Sequence, residues 1–302
     1  MALNKNLIVV VGPTGIGKTK LAISIAQQFS TEIISADSRQ FFKEMEIGTA
    51  KPSADELAAA PHHFINSHSV TSLFSTGDFE TLAIQRIGEL FKKHDVLIMV
   101  GGSGLYIDAV CKGLDELPET DLHIREQLNQ QHTLEGIEPI KAQLSEYDPE
   151  YYAKVDKANP QRMIRGLEFY LSTGSKLSEY LTNTKKIRPF NIVKIGLNMD
   201  RSALYKRINH RVDLMMDAGL LDEVKGLIPF RQYNALNTVG YTELFNHLDG
   251  HITLEEAVNQ IKQNTRRFAK RQLTWFRRDE STVWFEPDQT SAITDYILQK
   301  TP

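Results

Sequence analysis

A glycine-rich loop near the start of the chain is the feature that points most directly to chemistry. Residues 12–19 are GPTGIGKT and match the phosphate-loop pattern G-x-x-x-x-G-K-[ST] at every fixed position. Glycines let backbone amides close around phosphate oxygens, Lys18 neutralises phosphate charge, and Thr19 offers its hydroxyl to Mg²⁺ or phosphate. We therefore expect a phosphate-binding site formed by Gly12, Pro13, Thr14, Gly15, Ile16, Gly17, Lys18 and Thr19.

Asp37 is the best-placed carboxylate for acid–base chemistry. It follows a short apolar stretch, residues 32–36, that is typical of a strand. Open α/β sheets bind ligands outside the carboxyl ends of their strands, so Asp37 is expected to face that crevice. We interpret it as a candidate general base. The structural alternative is a helix N-cap, for which Ser38 is a second candidate.

The loop alone does not identify the phosphate ester that it binds. ATP, GTP, the phosphate donor of a kinase and other pyrophosphate esters all fit. Hydrolysing phosphate-loop proteins usually hold Mg²⁺ with an Asp after a hydrophobic strand, whereas the apolar residues 96–100 run into Gly-Gly-Ser-Gly. This argues against a motor or a switch more than against a small-molecule kinase.

Alternating strands and helices position these residues. The continuous apolar run 7–11 predicts a buried strand directly before the phosphate loop, and apolar residues at helical spacing follow the loop. Strands are also predicted over 32–36 and 96–100, with a helix over 79–93 between them. This order predicts an α/β fold, a phosphate-loop parallel sheet flanked by helices.

A helical insertion interrupts this pattern. Strand-like runs vanish between about residues 113 and 188, where helical periodicity takes over, and a strand returns over 191–199. Long helices are predicted over 204–219, with Gly219 as the C-cap, and over 254–278. We therefore expect a catalytic core of residues 1–112 and 189–302, with an inserted all-helical domain at 113–188.

Composition excludes several classes of protein. The chain has 302 residues, 41% of them hydrophobic, and a formal net charge of −3, so neither disorder nor a disulfide-stapled scaffold fits. The single cysteine, Cys111, cannot form an internal disulfide. The apolar run 7–11 is far shorter than the roughly 20 residues that span a bilayer. We expect a cytoplasmic protein without a membrane partner.

A basic and aromatic segment is the other unusual feature. Basic side chains neutralise backbone phosphates and aromatic rings stack on bases, so an RNA partner is one interpretation. The alternative is an amphipathic helix that buries its aromatic residues and exposes its basic face to solvent. The segment, residues 262–278, holds Lys262, Arg266, Arg267, Phe268, Lys270, Arg271, Trp275, Phe276, Arg277 and Arg278, and no acid.

Smaller groups of polar residues carry weaker signals. Arg162 and Arg165 lie three residues apart on one predicted helix face, an arrangement that is common on protein surfaces. Arg207 and Arg211 form either a phosphate clamp or an ion-pairing face with nearby acids. The pair His62-His63 lacks companions at metal-ligand spacing, so we expect a structural role for it.

Taken together, eight motifs resemble those of the tRNA dimethylallyltransferases, also called tRNA isopentenyltransferases. They occur in the family's order from about Leu7 to Arg278, which covers nearly the whole chain. Members of this family transfer a dimethylallyl group from its diphosphate to the exocyclic amine of the adenosine just 3′ of the anticodon, and release diphosphate. The motifs are GPTGIGKT, ADSRQ, IGTAKP, PHH, GGSGLY, NPQRMIRGLE, VGYTE and KRQLTWFRR.

The resemblance implies a role for each matching residue. The loop would hold the prenyl diphosphate, Lys18 and Thr19 would stabilise the leaving diphosphate with Mg²⁺ bound at Thr19, and Arg211 would help to bind the diphosphate. Asp37 would be the base or a hydrogen-bond acceptor for the adenine amine. The implied tRNA contacts are Asp37, Ser38, Arg39, Gln40, Ser103, Arg125, Gln161, Arg162, Met163, Ile164 and Arg165.

The resemblance also implies the partners, and the sequence departs from the family at two points. The partners would be a tRNA anticodon stem-loop and dimethylallyl diphosphate, and we expect a monomer. Ser103 stands where the family often has Thr, which keeps the hydroxyl. One cysteine cannot build the zinc finger of some eukaryotic relatives, so we expect a bacterial type.

Three other functions share part of these features. A small-molecule kinase would share the loop and the Asp37 base, but it leaves the basic aromatic segment and the insertion arginines unexplained. A prenyltransferase acting on free adenine nucleotides would share the pocket. A nucleotide-switched RNA-binding module would need hydrolysis coupled to RNA binding, which the missing strand-end acid disfavours.

Overall fold

The structure is a computed structural model that describes residues 5–182 and 184–301. The chain divides into two compact units. One unit combines Met1–Cys111 with Ile187–Pro302, and the other is Lys112–Lys186. The second unit is therefore continuous in sequence and interrupts the first.

A parallel six-stranded sheet forms the centre of the first unit. The strand order is β3-β2-β4-β1-β5-β6, and every neighbouring pair is parallel. The predicted parallel sheet is thus confirmed, but the two edge strands, β3 and β6, were not predicted. The described strands are β1 Asn6–Val11, β2 Ile33–Ser35, β3 His62–His63, β4 Val96–Gly101, β5 Asn191–Leu197 and β6 Val283–Phe285.

Helices cover both faces of this sheet. Successive residues of a strand point to opposite faces, and β1 is apolar at each position from Leu7 to Val11. Ile8 and Val10 pack on the side that holds Ile25 of α1, whereas Leu7 and Val9 pack on the side that holds Phe79 of α3. The described helices are α1 Lys18–Gln28, α2 Ala54–Ala59, α3 Thr76–Leu90, α4 Gly104–Lys112, α5 Leu122–Glu135, α6 Glu138–Tyr147, α7 Pro149–Lys154, α8 Pro160–Thr173, α9 Leu177–Tyr180, α10 Arg201–Asp217, α11 Leu220–Gly226, α12 Tyr241–Leu248, α13 Leu254–Phe276 and α14 Thr290–Lys300.

Local signals explain where the long helices begin and end. Thr253 and Glu256 form a reciprocal capping box at the start of α13. The helix predicted over 204–219 begins earlier, at Arg201, and its C-cap is Ala218 rather than Gly219. Gly219 has a φ of 97° and is the N-cap of α11, so its left-handed conformation turns the chain from one helix into the next.

The second unit is built from helices α5 to α9. Its core gathers Met163, Ile164 and Leu167 of α8 against Leu128 and Leu144 of two neighbouring helices. The backbone N–H of Lys186 donates a hydrogen bond of 2.7 Å to the carbonyl of Lys112. The chain therefore enters and leaves this unit at adjacent points.

No helix within residues 5–182 and 184–301 is both long enough and apolar enough to cross a bilayer.

Candidate active site

The phosphate loop lies between the carboxyl end of β1 and the amino end of α1. Gly12, Gly15 and Gly17 have φ values of 149°, 79° and 105°, which non-glycine residues rarely adopt. At Gly12, a Cβ atom would also lie 2.8 Å from the carbonyl oxygen of Leu197 in β5. Glycine is therefore needed both for the bend and for close approach, and the loop leaves the amino end of α1 open to an anion.

Lys18 folds back over this loop. Its Nζ donates a hydrogen bond of 2.9 Å to the carbonyl of Pro13. Burial lowers the pKa of Lys18 from 10.5 to about 8; the nearby Asp37 carboxylate raises it and the Arg211 guanidinium lowers it. The ammonium group is thus poorly solvated and suited to neutralising an anion in the loop.

Arg211 reaches the loop from α10. Its Nη1 donates to Thr14 Oγ1 at 3.5 Å, and its Nη2 donates to the carbonyl of Ala50 at 3.3 Å. Burial lowers the pKa of Arg211, against the opposing effect of Asp37. Asp213 pairs instead with Lys262, at 2.5 Å. Of the two interpretations of this helix, the phosphate clamp therefore fits Arg211 better.

Asp37 follows β2 and uses one carboxylate oxygen to hold its own turn. Its Oδ1 accepts hydrogen bonds from the backbone N–H groups of Arg39 at 2.9 Å and Gln40 at 3.4 Å. The alternative role as a cap is therefore partly correct, although the capped segment is a turn rather than a helix. In the described part of the chain, Oδ2 has no hydrogen-bond partner. The carboxylate charge raises the pKa of both Lys18 and Arg211.

Ser103 connects the end of β4 to the Asp37 turn. Its Oγ accepts a hydrogen bond of 2.9 Å from the backbone N–H of Ser38. A Cβ atom at Gly101 would lie 2.1 Å from the carbonyl oxygen of Ala36, so glycine allows the ends of β2 and β4 to approach. The hydroxyl of Ser103 is thus used within the protein.

Arg39 and Gln40 also build the site from within. The Gln40 amide donates to the carbonyls of Thr49 at 3.3 Å and Ala50 at 3.1 Å, and Ala50 is also the acceptor for Arg211. The pKa of Arg39 is lowered because burial outweighs the opposite effects of Tyr106 and Asp37. Both side chains are half-buried, so they shape the site as well as bordering it.

Sequence reasoning missed two residues that hold loops of the site. The buried amide of Gln272 on α13 contacts Thr14 and Gly102. The Glu223 carboxylate accepts backbone N–H groups from residues 46, 47 and 48 at 3.0, 2.6 and 3.1 Å, and the Tyr241 hydroxyl at 2.7 Å. Each depends on contacts between residues far apart in the chain, which no local spacing reveals.

The basic aromatic helix α13 combines features of both interpretations. Trp275 is packed against Gly104, and its Nε1–H donates to Asp108 at 2.9 Å, while Phe276 is buried. Phe276 therefore serves the fold, and Trp275 is half-buried and held by its hydrogen bond to Asp108. Phe268 is 38% exposed. The exposed basic side chains are Arg267, Lys270, Arg271, Arg277 and Arg278.

Within the helical unit, the residues expected to contact tRNA fall into three groups. Gln161 and Arg162 are exposed. Met163 and Ile164 are at most 1% exposed in the core of the unit, so an RNA contact through their side chains is at odds with their burial, and they support α8 instead. The third group is Arg125 and Arg165, which form a network with Glu168.

Arg125 and Arg165 converge on a buried carboxylate. Glu168 Oε2 accepts from Arg125 Nε at 3.0 Å and Nη2 at 2.5 Å, and from Arg165 Nη1 at 3.2 Å. Its Oε1 accepts the Thr120 hydroxyl at 2.8 Å. Glu168 is fully buried, whereas the arginine side chains stay 42% and 32% exposed. These arginines thus compensate an internal charge and still reach the surface.

The histidines at 62 and 63 lie on the edge strand β3. His63 Nε2 is 2.7 Å from Glu32 Oε2, and His62 Nδ1 contacts the carbonyl of Ala60 at 2.7 Å. Among the residues described, no group of three or more His, Cys, Asp or Glu side chains could hold a metal ion. His63 thus links β3 to Glu32, next to β2, and a structural role for the pair stays a prediction.

Comparison with known proteins places this site in a family. The model of the IPP transferase family matches residues 40–279. A tRNA dimethylallyltransferase of Christiangramia forsetii is 54% identical over 299 residues, which covers 99% of each chain.

Two solved structures are similar along the whole chain. A tRNA isopentenylpyrophosphate transferase from Bacillus halodurans has a TM-score of 0.72 at 38% identity, and covers 98% of this chain and 97% of its own. A eukaryotic dimethylallyltransferase acting on tRNA has a TM-score of 0.80 at 26% identity, and covers 99% of this chain and 80% of its own. Because the family model spans most of the sequence and a relative matches it almost end to end, the chain belongs to the tRNA dimethylallyltransferase family.

Proposed function

We propose that the protein transfers a dimethylallyl group from dimethylallyl diphosphate to the exocyclic amine of the adenosine 3′-adjacent to the anticodon in tRNA, and releases diphosphate. One observation carries the proposal. A phosphate loop with two cations, Lys18 and Arg211, lies beside the Asp37 carboxylate, whose Oδ2 has no hydrogen-bond partner in the described part of the chain. The site can therefore hold a diphosphate and accept a proton nearby.

The leaving group is the first demand of this reaction. An adenine amine is a weak nucleophile because its lone pair is delocalised into the ring, so the allylic carbon must gain cationic character as diphosphate departs. Loop amides, Lys18 and Arg211 are placed to stabilise the charge that develops on the departing diphosphate. Their partial burial strengthens each interaction by reducing competition from water.

The residues present also fit a Mg²⁺ ion that binds together with the diphosphate. Mg²⁺ prefers oxygen ligands and commonly keeps several waters and substrate phosphates in its coordination shell, so it needs few protein ligands. Thr19, half-buried in the first turn of α1, would supply its hydroxyl. When bound, the ion would neutralise charge on the leaving diphosphate.

Proton transfer is assigned to Asp37. Its Oδ1 is held by two backbone amides, which fixes the carboxylate, and Oδ2 would accept the proton as the amine nitrogen bonds to carbon. The target base would leave its stack in the anticodon loop to reach this carboxylate. Positioning of the carboxylate thus contributes as much as its basicity.

Surface features support a tRNA partner. The exposed basic residues of α13 and the exposed Arg162 of α8 are placed to contact phosphates, and Arg125 and Arg165 keep part of their guanidinium groups at the surface. We propose that the unit around residues 113–188 contacts the anticodon stem-loop, and that the core 1–112 and 189–302 carries out the chemistry. A cytoplasmic monomer is part of this proposal.

The test is a reaction with defined substrates. The purified protein is incubated with Mg²⁺, dimethylallyl diphosphate and unmodified tRNA, and the digested RNA is analysed by mass spectrometry. We expect one adenosine to become heavier by a dimethylallyl group, and a tRNA with guanosine at that position to remain unmodified. Modification of free adenine nucleotides at the same rate, or phosphorylation of a small metabolite with ATP instead, would contradict the proposal.

A further inference from the structure

Gln272 joins two loops of the site through one buried side chain. Its Oε1 accepts the backbone N–H of Thr14 at 2.8 Å, and its Nε2 donates to the carbonyl of Gly102 at 2.8 Å. The residue is only 6% exposed. Both polar ends of the amide are therefore satisfied by backbone groups, one from the loop after β1 and one from the loop after β4.

The absence of a side chain at residue 102 makes room for this amide. A Cβ atom built on Gly102 would lie 2.3 Å from Gln272 Nε2, and 3.7 Å from Lys18 Nζ. Gly102 is not among the residues with positive φ, so its backbone would tolerate another residue. The glycine is thus required by the Gln272 amide, which occupies the position of a side chain directly beside Lys18.

The contacts continue from Gly102 to the proton acceptor. The next residue, Ser103, accepts the backbone N–H of Ser38, which adjoins Asp37. Gln272 is therefore the first link of a chain of contacts between the loop that would hold the leaving group and the turn that carries the carboxylate. Without its amide, a donor at half-buried Thr14 and an acceptor at buried Gly102 would lose their partner.

From this geometry we infer that Gln272 is a positioning residue that fixes the phosphate loop relative to the Asp37 turn. Its kinetic consequence rests on the proposed function. A group transfer requires the electrophilic carbon, the amine and the proton acceptor to be aligned at once, and misplacement by about 1 Å can cost on the order of 100-fold in rate. Loss of Gln272 should therefore slow the chemical step and leave the binding of each substrate intact.

The variant Gln272→Met removes both hydrogen bonds at similar volume, and Gln263→Met is the matched control on an exposed position of the same helix. We expect the single-turnover rate at saturating substrates to fall about tenfold or more in Gln272→Met, with Kd values for dimethylallyl diphosphate and tRNA within about twofold of the parent. Gln263→Met should match the parent. An unchanged rate, or a loss found entirely in the Kd for the diphosphate, would overturn the inference.

A second variant reaches the same contact from the other side. Gly102→Ala places a methyl group where the Gln272 amide lies, so it should displace the amide and reproduce the rate loss even if Gln272→Met folds poorly. The double variant should be no slower than the slower single variant, because both changes break one contact. Fully additive effects would show that Gln272 acts elsewhere.

Hydrogen exchange tests the positioning without relying on activity. In Gln272→Met, the peptides that cover residues 12–17 and 36–40 should both exchange faster than in the parent, while Gln263→Met changes neither. Faster exchange in the first peptide alone would refute the link to the Asp37 turn. If the parent protein forms no prenylated adenosine, the proposed function fails, but these exchange rates still decide the role of Gln272.

Discussion

At the residue scale, the two oxygens of Asp37 differ in their contacts. Oδ1 accepts two backbone N–H groups and fixes the turn, whereas Oδ2 has no hydrogen-bond partner in the described part of the chain. The carboxylate as a whole raises the pKa of Lys18 and of Arg211. A carboxylate that is held by one oxygen keeps its orientation while the other oxygen takes part in chemistry. The structural and the chemical interpretations of this residue are therefore compatible.

This division of tasks makes Asp37→Asn a sharp test of the base. Asparagine retains the oxygen that accepts the two backbone N–H groups, but it cannot accept the proton. We expect turnover to fall by a factor of roughly 100 to 10,000, the usual contribution of general acid–base catalysis, with unchanged thermal stability. Mass spectrometry of the digested tRNA measures the product, and Asp55→Asn on the exposed face of α2 is the control. Near-normal turnover in Asp37→Asn would exclude the assignment.

The lowered pKa of Lys18 predicts how diphosphate binding depends on pH. Burial lowers this pKa to about 8, so the ammonium group loses its proton well below the 10.5 of an unperturbed lysine. Affinity for dimethylallyl diphosphate, taken relative to that of Lys18→Gln, should hold steady below about pH 7 and decrease as the pH rises through 8. Calorimetric titration between pH 6.5 and about 9.5 measures this. Lys18→Gln, in which only the ligand titrates, provides the control, and identical pH profiles for both proteins would contradict the prediction.

At the element scale, the arginines of α5 and α8 differ in whether they pair with a buried carboxylate. Arg165 and, from α5, Arg125 compensate the buried Glu168, whereas the side chain of Arg162 is exposed. We therefore expect substitution of these neighbouring arginines to change the free energy of unfolding by different amounts. The sequence offered no means of telling them apart, because nothing local to Glu168 shows that it is buried.

We therefore predict opposite phenotypes for Arg125→Ala and Arg162→Ala. Arg125→Ala should lower the free energy of unfolding by about 1 to 3 kcal/mol, because it removes charged hydrogen bonds from a buried carboxylate. Arg162→Ala should leave stability within about 0.5 kcal/mol, weaken tRNA binding and reduce its salt dependence by about one counterion. Thermal unfolding and binding at several salt concentrations measure both effects. Equal losses of stability would show that exposure does not separate the two residues.

The elements that could be predicted are those with long repeating patterns. The interior strands and the long helices have apolar residues at regular spacing, and the phosphate loop has a fixed pattern of residue types. β2 is also short, but it lies in an apolar run that ends at Asp37. The edge strands lack such a setting, because β3 is a His-His pair and β6 is three residues between polar neighbours. Gln272 lies in the KRQLTWFRR motif, but its role could not be predicted from the sequence because it depends on residues 14 and 102 meeting residue 272 in space.

At the scale of the whole molecule, the two compact units differ in how many segments of the chain they contain. The first unit is assembled from both ends of the sequence around the sheet, and the second is one continuous segment. The hydrogen bond between Lys186 and Lys112 brings the ends of that segment together. The segment can therefore be replaced by a short linker without stretching the core.

Such a replacement tests which unit binds tRNA. A variant in which a short Gly-Ser linker joins Cys111 to Ile187 should fold, because the sheet and its two apolar layers lie entirely in the first unit. We expect it to bind dimethylallyl diphosphate normally and tRNA about tenfold or more weakly, as measured by calorimetry and filter binding. Full tRNA affinity in this variant would assign recognition to the core alone.

The short edge strands have a consequence for aggregation. After Asn6, strand β1 is a run of leucine and β-branched residues, a composition that readily forms intermolecular cross-β structure when it is exposed. In the described fold, β4 and β5 cover its two sides, and the outermost strands offer at most three residues for pairing with another molecule. This aggregation-prone segment is therefore enclosed once the sheet forms, and the short edge strands leave neighbouring molecules few residues with which to pair.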